Sequence, residues 1–411
     1  MDRESVLCGR TVLLGVSGGI AAYKAVELVR LLQKQDAHVR VVMTQAATKF
    51  VGPLTFEAVS GEPVYHDMWK PVDEGSIQHI AWAKEADCVV IAPATANTIA
   101  KLAHGIADNA LSTLMLAINC PMLLCPSMNA AMLAHPATHA NLRTLAERPG
   151  VHIMASGEGY LACGDLGSGR LPEPPDILDR VAWLLTEKDF AGLRVLVTAG
   201  PTQEKIDPVR FVSNPSSGRM GFAVARAAEH RGADVTLITG PVSLPDPLNV
   251  RVLRVESAEQ MARAVFDHFP QSDVVVKSAA VSDYRPVEVC GQKIKGSRSQ
   301  LSLTLAPNPD ILAQLGRDKK DRVLVGFAAE TEKLCEHACE KLEKKNLDMI
   351  VANLIGAPGS GFAAATNQAT LFLRGGREEK LALMSKDELA HVILDRVLTF
   401  LPEEKAAGRT E

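Results

Sequence analysis

Aromatic residues are scarce, at 4% of 411 positions, and neither charge sign dominates: 44 Lys and Arg stand against 48 Asp and Glu, a formal net charge of −4. That balance argues against a general nucleic-acid binder, whose affinity rests on massed cations, so any anion site has to be local. Eight cysteines are too sparse for a disulfide scaffold, and no Cys-x-x-Cys pair occurs. No apolar run approaches the ~20 residues that span a bilayer, and the start MDRESVLCGR lacks the apolar stretch and cleavage site of a secretion signal. These absences give the expectation of a soluble, cytoplasmic protein without membrane or nucleic-acid partners. The length exceeds the ~100–150 residues of a typical domain, which predicts two domains.

Short β-branched runs alternate with Ala-rich helical stretches. TVLLGV, HVRVVM and CVVIA read as buried strands and AAYKAVELVRLLQKQ as a helix, an alternation that predicts a parallel sheet with ligands at its carboxyl ends. The pattern breaks at GDLGSGRLPEPP and restarts at LRVLVTAG (Leu193 to Gly200), again a strand running into glycine. The predicted fold is α/β, two doubly wound parallel-sheet domains in series, Rossmann-like or flavodoxin-like, divided as residues 1–190 and 191–411. The Lys- and Gly-rich stretch from Pro286 to Ser299 reads as a mobile loop and the tail after Leu401 as disordered.

In the first half, Gly15, Ser17, Gly18 and Gly19 lie directly before the helix IAAYKAVELV. Bare N–H groups at a helix start suit a phosphate, although a tight βα turn explains the glycines equally well. The spacing is not Gly-x-Gly-x-x-Gly, and the second strand ends in Met43-Thr44-Gln45 without the acid that holds an adenosine ribose, so a mononucleotide fits better than a dinucleotide. Thr95 and Asn97 stand where a second ligand loop belongs and also suit a helix cap. His79 sits on a helix, where a lone His is more often filler than catalyst. Cys163 occupies a glycine-rich loop with the character of a lid.

GVSGGIAAYK, GSIQHI, APATANTIAKLAHGIADN, PSMNAAM and ACGDLGSGRLPEP, in this order and spacing from about Arg10 to Glu173, resemble the flavin-containing cysteine decarboxylases, specifically the phosphopantothenoylcysteine decarboxylases. The resemblance implies FMN held by Ser17, Gly18, Gly19, Ile20, Thr44, Thr95, Asn97 and Ser112. It implies a redox cycle without net oxidation, in which the substrate's cysteinyl thiol is oxidised to a thioaldehyde, the electron sink that lets the carboxylate leave as CO2. His79 is then implied at the flavin, Asn129 at the substrate carboxylate, and Cys163 as the proton donor when the enethiolate is reduced back.

The second half opens with SNPSSGRMG, hydroxyls and a guanidinium ahead of a helix but no Walker sequence, which reads as a phosphate site or as a Ser-rich helix start. With SAAVSDYRP, QKIKG, NPDIL, VGFAAET and KLEKKNLD, over about Leu193 to Asn353, it is similar to the phosphopantothenate–cysteine ligases, CTP-dependent partners of those decarboxylases in the bifunctional coenzyme A biosynthesis family. The resemblance implies activation of 4'-phosphopantothenate by CTP as an acyl-cytidylate, followed by attack of the cysteine amine. Lys293 would stabilise the first step and Asn214 act on the acyl-cytidylate, with Arg210 and Ala280 at the substrate. Ala279, Asp283, Lys293, Pro309, Asp310, Ile311, Leu312, Phe327, Lys341 and Lys345 would contact CTP, with Mg2+ bridging phosphates through ligands the sequence leaves unassigned. Pro215 replaces a usual His, Arg219 a usual Lys, and Lys277-Ser278 small apolar residues.

The resemblance further implies a homo-oligomer, trimeric through the flavin domain and dimeric through the ligase domain. Two other readings are a flavoprotein acting on a different cysteine-type substrate and a flavodoxin-like regulatory subunit. The ligase motif set opposes the first, and the presence of both His79 and Cys163 opposes the second. Cys335, His337 and Cys339 resemble metal ligands in spacing, but ~100° per residue turns His337 away from the thiols. Cys120 and Cys125 flank a strand and read as buried thiols.

Overall fold

The computed structural model describes residues 5–70, 77–160, 166–295, 301–330, 334–354, 364 and 366–402. One compact unit spans 4–186 and a second begins at 187. Cys163 and most of the tail after Leu401 lie outside the described residues.

In the first unit, β1 (Thr11–Val16), β2 (His38–Met43), β3 (Cys88–Ala94), β4 (Met122–Pro126) and β5 (Val151–Ile153) form a wholly parallel sheet of order β2-β1-β3-β4-β5. Both faces are covered, which is why β3 is buried along its whole length and reads as a continuous apolar run. On one face Val12, Leu14 and Val16 pack against α1 (Ala22–Gln33), α2 (Pro53–Ser60) and α8 (Pro174–Leu185). On the other, Leu13, Val89 and Ile91 meet α3 (Gln78–Glu85), α4 (Ala96–His104), α5 (Ala110–Met115) and α7 (Pro136–Ala146). Trp82 and Tyr65, edge to face at 5.8 Å, supply much of that second layer's bulk. A short helix α6 (Ala130–Ala134) follows β4, and the antiparallel pair β6 (Gly157–Tyr160) and β7 (Leu166–Arg170) lies beyond β5.

The second unit begins with β8 (Arg194–Ala199) and a small antiparallel pair, β9 (Gln203–Lys205) and β10 (Phe211–Ser213). With β11 (Asp234–Thr239), β12 (Arg251–Arg254), β13 (Val274–Lys277), β16 (Val323–Glu330) and β17 (Met349–Leu354), β8 forms six parallel strands in the order β12-β11-β8-β13-β16-β17. The sheet is not parallel throughout, as the sequence pattern predicts, because β19 (Ala369–Leu373) and β20 (Arg377–Lys380) add antiparallel strands at one edge. The turn at Gly375 and Gly376, both at positive φ, reverses the chain within a few residues, whereas a parallel return needs a crossover of a dozen or more. α9 (Arg219–His230) and α13 (Lys386–Leu398) cover one face, and α10 (Ala258–His268), α11 (Ile311–Arg317) and α12 (Leu334–Lys344) the other. Gly221 lets α9 lie against β8, since a Cβ there would meet that of Ala199 at 2.5 Å. Two further antiparallel pairs are β14 (Tyr284–Pro286) with β15 (Leu305–Pro307), and β18 (Thr366–Asn367) with β21 (Met384–Ser385). Of the stretch read as a loop, residues 287–295 carry no helix or strand.

Candidate active sites

The strand order of the first sheet reverses between β1 and β3, and such a switch point opens a crevice at the carboxyl ends. Ser17 is fully buried there. Its Oγ donates to the Pro93 carbonyl at 2.7 Å and accepts the Thr95 N–H at 3.0 Å, so its hydroxyl ties the two loops together. Gly18 passes directly under Ala46, where a Cβ would meet the Ala46 Cβ at 2.4 Å. The N–H groups of Gly18, Ile20 and Ala21 take no partner among the described residues, and α1 has no side-chain cap. Free donors at the start of a 12-residue helix make a cradle for one phosphate monoester.

The crevice has a volume of about 870 Å³ and is lined by Gly18, Gly19, Ile20, Thr44, Thr95, Asn97 and Asn129. Thr95 also caps α4, accepting the Thr98 N–H at 3.4 Å, and Asn129 caps α6 through Ala131 at 2.8 Å; both caps fix the side chains that face the crevice. Ser112 belongs to the capping box of α5, buried behind Asn109 and outside the lining. Asp108 and Asn109, which sequence reasoning missed, line the crevice instead. His79 is half-buried on α3 and is not among the lining residues. Cys163 lies outside the described residues, but Gly169 and Arg170 on β7 line the crevice, and Met128 N–H donates to the Gly169 carbonyl at 2.9 Å. Burial pushes the Cys88 thiol up to about 12 and the Cys120 thiol up to about 11, so both stay protonated and unreactive.

The second unit has its own switch point between β8 and β13, again with a crevice of about 870 Å³. Asn214, Ala279, Ala280, Asp283, Pro309, Asp310, Ile311, Leu312, Phe327, Lys341 and Lys345 all line it. Asn214 Nδ2 donates to the Val281 carbonyl at 3.1 Å, which joins the loop before α9 to the loop after β13. Asp310 caps α11 through Ala313 at 3.0 Å and pairs with Lys345 at 2.8 Å. Burial raises the Asp310 carboxyl, but the Lys345 hydrogen bond and the Ala313 N–H outweigh it and hold the group below the usual carboxylate range. Lys341 Nζ donates to the Phe327 carbonyl at 3.0 Å.

Arg210 and Lys293 are not among the lining residues. Both belong instead to one hub: Asp207 accepts the Arg210 N–H at 2.8 Å, its guanidinium at 3.3 Å and the Ile294 N–H at 3.2 Å, so the chain at Lys293 is anchored beside Arg210. Pro215, Arg219, Lys277 and Ser278, the departures from the family pattern, all line the crevice. So do Asn353 and Lys386, which no motif singles out. Asn353 Oδ1 is buried without a partner among the described residues, and burial, then Arg219, push the Lys386 ammonium down. Cations and carboxylates from five different segments converge here, an arrangement suited to a polyphosphate with a divalent ion.

Fold and sites together define a two-domain α/β protein with a separate crevice at the sheet switch point of each half. Residues 3–186 match the flavoprotein family model, and residues 190–401 match the model described as the DNA/pantothenate metabolism flavoprotein C-terminal domain. The chain belongs to the family of coenzyme A biosynthesis bifunctional proteins, flavoprotein and ligase domains joined in one enzyme. It is 46% identical to the bifunctional protein CoaBC of Haemophilus influenzae over 394 residues, covering 95% of this chain and 98% of that one. To the CoaBC protein of Escherichia coli K12 it is 44% identical over 403 residues, covering 97% and 99%. Among solved structures it is similar to the C-terminal domain of a CoaBC protein, at 42% identity and a TM-score of 0.45, covering 52% of this chain and 97% of that one. A PPC decarboxylase mutant complexed with pantothenoylaminoethenethiol matches at 31% identity and a TM-score of 0.38, covering 42% and 96%.

Proposed function

We propose that the chain catalyses two consecutive steps: CTP-dependent ligation of cysteine to 4'-phosphopantothenate in residues 191–411, then FMN-dependent decarboxylation of the product to 4'-phosphopantetheine in residues 1–190. The observation that carries this reading is the pairing, in one chain, of a single-phosphate cradle before α1 with a lysine-lined crevice at the second switch point. The one cradle suits FMN and the other crevice a triphosphate.

In the ligase step the substrate carboxylate attacks the α-phosphorus of CTP, the bond to the bridging oxygen breaks, and pyrophosphate leaves. The cysteine amine then attacks the acyl carbon and CMP departs. Lys341 and Lys345 line the crevice that would take the phosphates as they gain charge. Lys293, outside that lining on the segment anchored by Asp207, would be brought to the reacting centre as a further cation when the substrates bind. Asn214 presents its amide to the acyl-cytidylate. Mg2+ would accompany the triphosphate, and Asp283 is the crevice carboxylate that would hold it, since Asp310 is committed to Lys345 and the α11 cap.

In the decarboxylase step FMN, when bound, accepts two electrons from the substrate thiol and returns them. Gly18 to Ile20 would hold its phosphate, with Thr44, Thr95 and Asn97 along its polar edge. Asn129 would orient the substrate carboxylate, and His79 and Cys163 would carry protons. A homo-oligomer is part of the same reading. A cytoplasmic site accords with the lack, among the described residues, of any helix long and apolar enough to cross a membrane. One assay tests the whole: protein supplied with CTP, cysteine and 4'-phosphopantothenate should be yellow, release pyrophosphate only when 4'-phosphopantothenate is present, turn over repeatedly only when cysteine is added, and then release CO2. A colourless preparation that takes up no FMN, or pyrophosphate release without 4'-phosphopantothenate, would sink the reading.

A further inference from the structure

Strand β13 is fully buried at Val274, Val275 and Val276 and then ends in Lys277. Alternation along the strand places Lys277 on the face of Val275, the face covered by α10, α11 and α12. It lines the second crevice at the switch point between β8 and β13. Its neighbours there are already engaged, Lys341 with the Phe327 carbonyl and Lys345 with Asp310. Lys277 is different: no carboxylate or carbonyl takes its ammonium among the described residues. A half-buried ammonium with no hydrogen-bonded counter-ion is costly unless a ligand supplies the charge.

We propose that Lys277 is a phosphate-binding residue of the nucleotide site, its ammonium held open by the fold for the triphosphate of the incoming nucleotide. The inference rests on the reading of this crevice as the CTP site and adds to it a residue placed at the centre of the sheet. Binding should also move a proton. Burial first, then the cations of Lys341 on α12 and Lys345 just after it, push the Lys277 ammonium down to about 8, against Asp310 at the cap of α11 and Asp283 after β13. Arg219 and Lys386 add positive charge to the same crevice. In the free protein the charged form is therefore lost as pH rises through about 8, and an arriving polyanion restores it.

The test is calorimetric titration of the full-length protein with CTP and Mg2+ in two buffers of different ionisation enthalpy. At about pH 8.5 the wild type should take up roughly half a proton or more per CTP, and at about pH 6.5 almost none. Lys277→Met should bind CTP about 10-fold more weakly at the lower pH and take up no proton at the higher. Lys277→Arg, charged at both, should keep its affinity and also lose the uptake, which separates loss of charge from loss of packing. If Lys277→Met binds CTP with wild-type affinity and uptake, the assignment of Lys277 is overturned while the nucleotide site stands. If the wild type binds no CTP at all, both readings fall.

Discussion

The two crevices have equal volumes and equivalent positions in their sheets, yet they treat charge in opposite ways. In the first, the charged residues at the rim are engaged within the protein: Lys24 with Glu173 and Lys101 with Asp108, both at 2.7 Å, and Arg170 with Glu173 at 3.6 Å. What remains for a ligand is backbone N–H, neutral hydroxyl and amide groups, and apolar surface at Ile20 and Met132. In the second, Lys277, Arg219, Lys341, Lys345 and Lys386 share the lining with Asp283 and Asp310, and Lys277 has no protein partner among the described residues. A flat cofactor with one phosphate needs only the former, whereas a triphosphate whose charge shifts during reaction needs the latter. The near-zero global charge conceals this contrast.

The largest expected effect breaks the first crevice alone. In Gly18→Ala the new methyl would lie 2.4 Å from the Ala46 Cβ and 2.8 Å from its carbonyl carbon, neither of which can rotate away. The turn must then shift, and with it the three free donors. Flavin absorbance of the purified protein should fall to background and CO2 release by about 10²-fold or more, with pyrophosphate release unchanged. Retained colour would mean that the phosphate sits elsewhere. The next effect breaks the second crevice alone: Lys293→Gln should lower kcat for pyrophosphate release by about 10²-fold, with a smaller change in KM and with flavin absorbance intact, because its cation serves the transition state more than the bound substrate.

Legibility in the sequence followed the same division. Strand–glycine–helix units announced both switch points, since a buried parallel strand must be apolar throughout and its ligand loop must be small and polar. The antiparallel edge at β19 and β20 was not announced, because REEK carries no apolar period and its turn looks like any surface loop. Thr95, Asn129 and Asp310 were legible because caps and ligand contacts use the same residue types at the same place. Ser17 and Ser112 show the limit of that rule, for both hydroxyls are spent inside the protein. Asn353 and Lys386 come to their crevice only through the packing of distant segments, which no local spacing records.

The smallest effects compare the two capping residues that also face a crevice. Thr95→Ala removes the α4 cap and a bonding partner of Ser17, and should lower stability by about 1 kcal/mol in urea unfolding of the flavin unit. Asp310→Asn keeps a capping side chain on α11 but frees Lys345, so its cost at neutral pH should stay under about 1 kcal/mol, the range of half-exposed ion pairs. Its sign with pH is fixed by the direction of the shift. A carboxyl held below its usual range stabilises the fold above the unfolded value, and that stabilisation is lost as pH falls through the folded one. The gap between wild type and Asp310→Asn should therefore close on acidification, while the gap for Thr95→Ala, which carries no titrating group, should persist. Parallel behaviour of the two variants across pH would show that Asp310 acts as a cap alone, and that the charge contrast between the crevices does not extend to their helix starts.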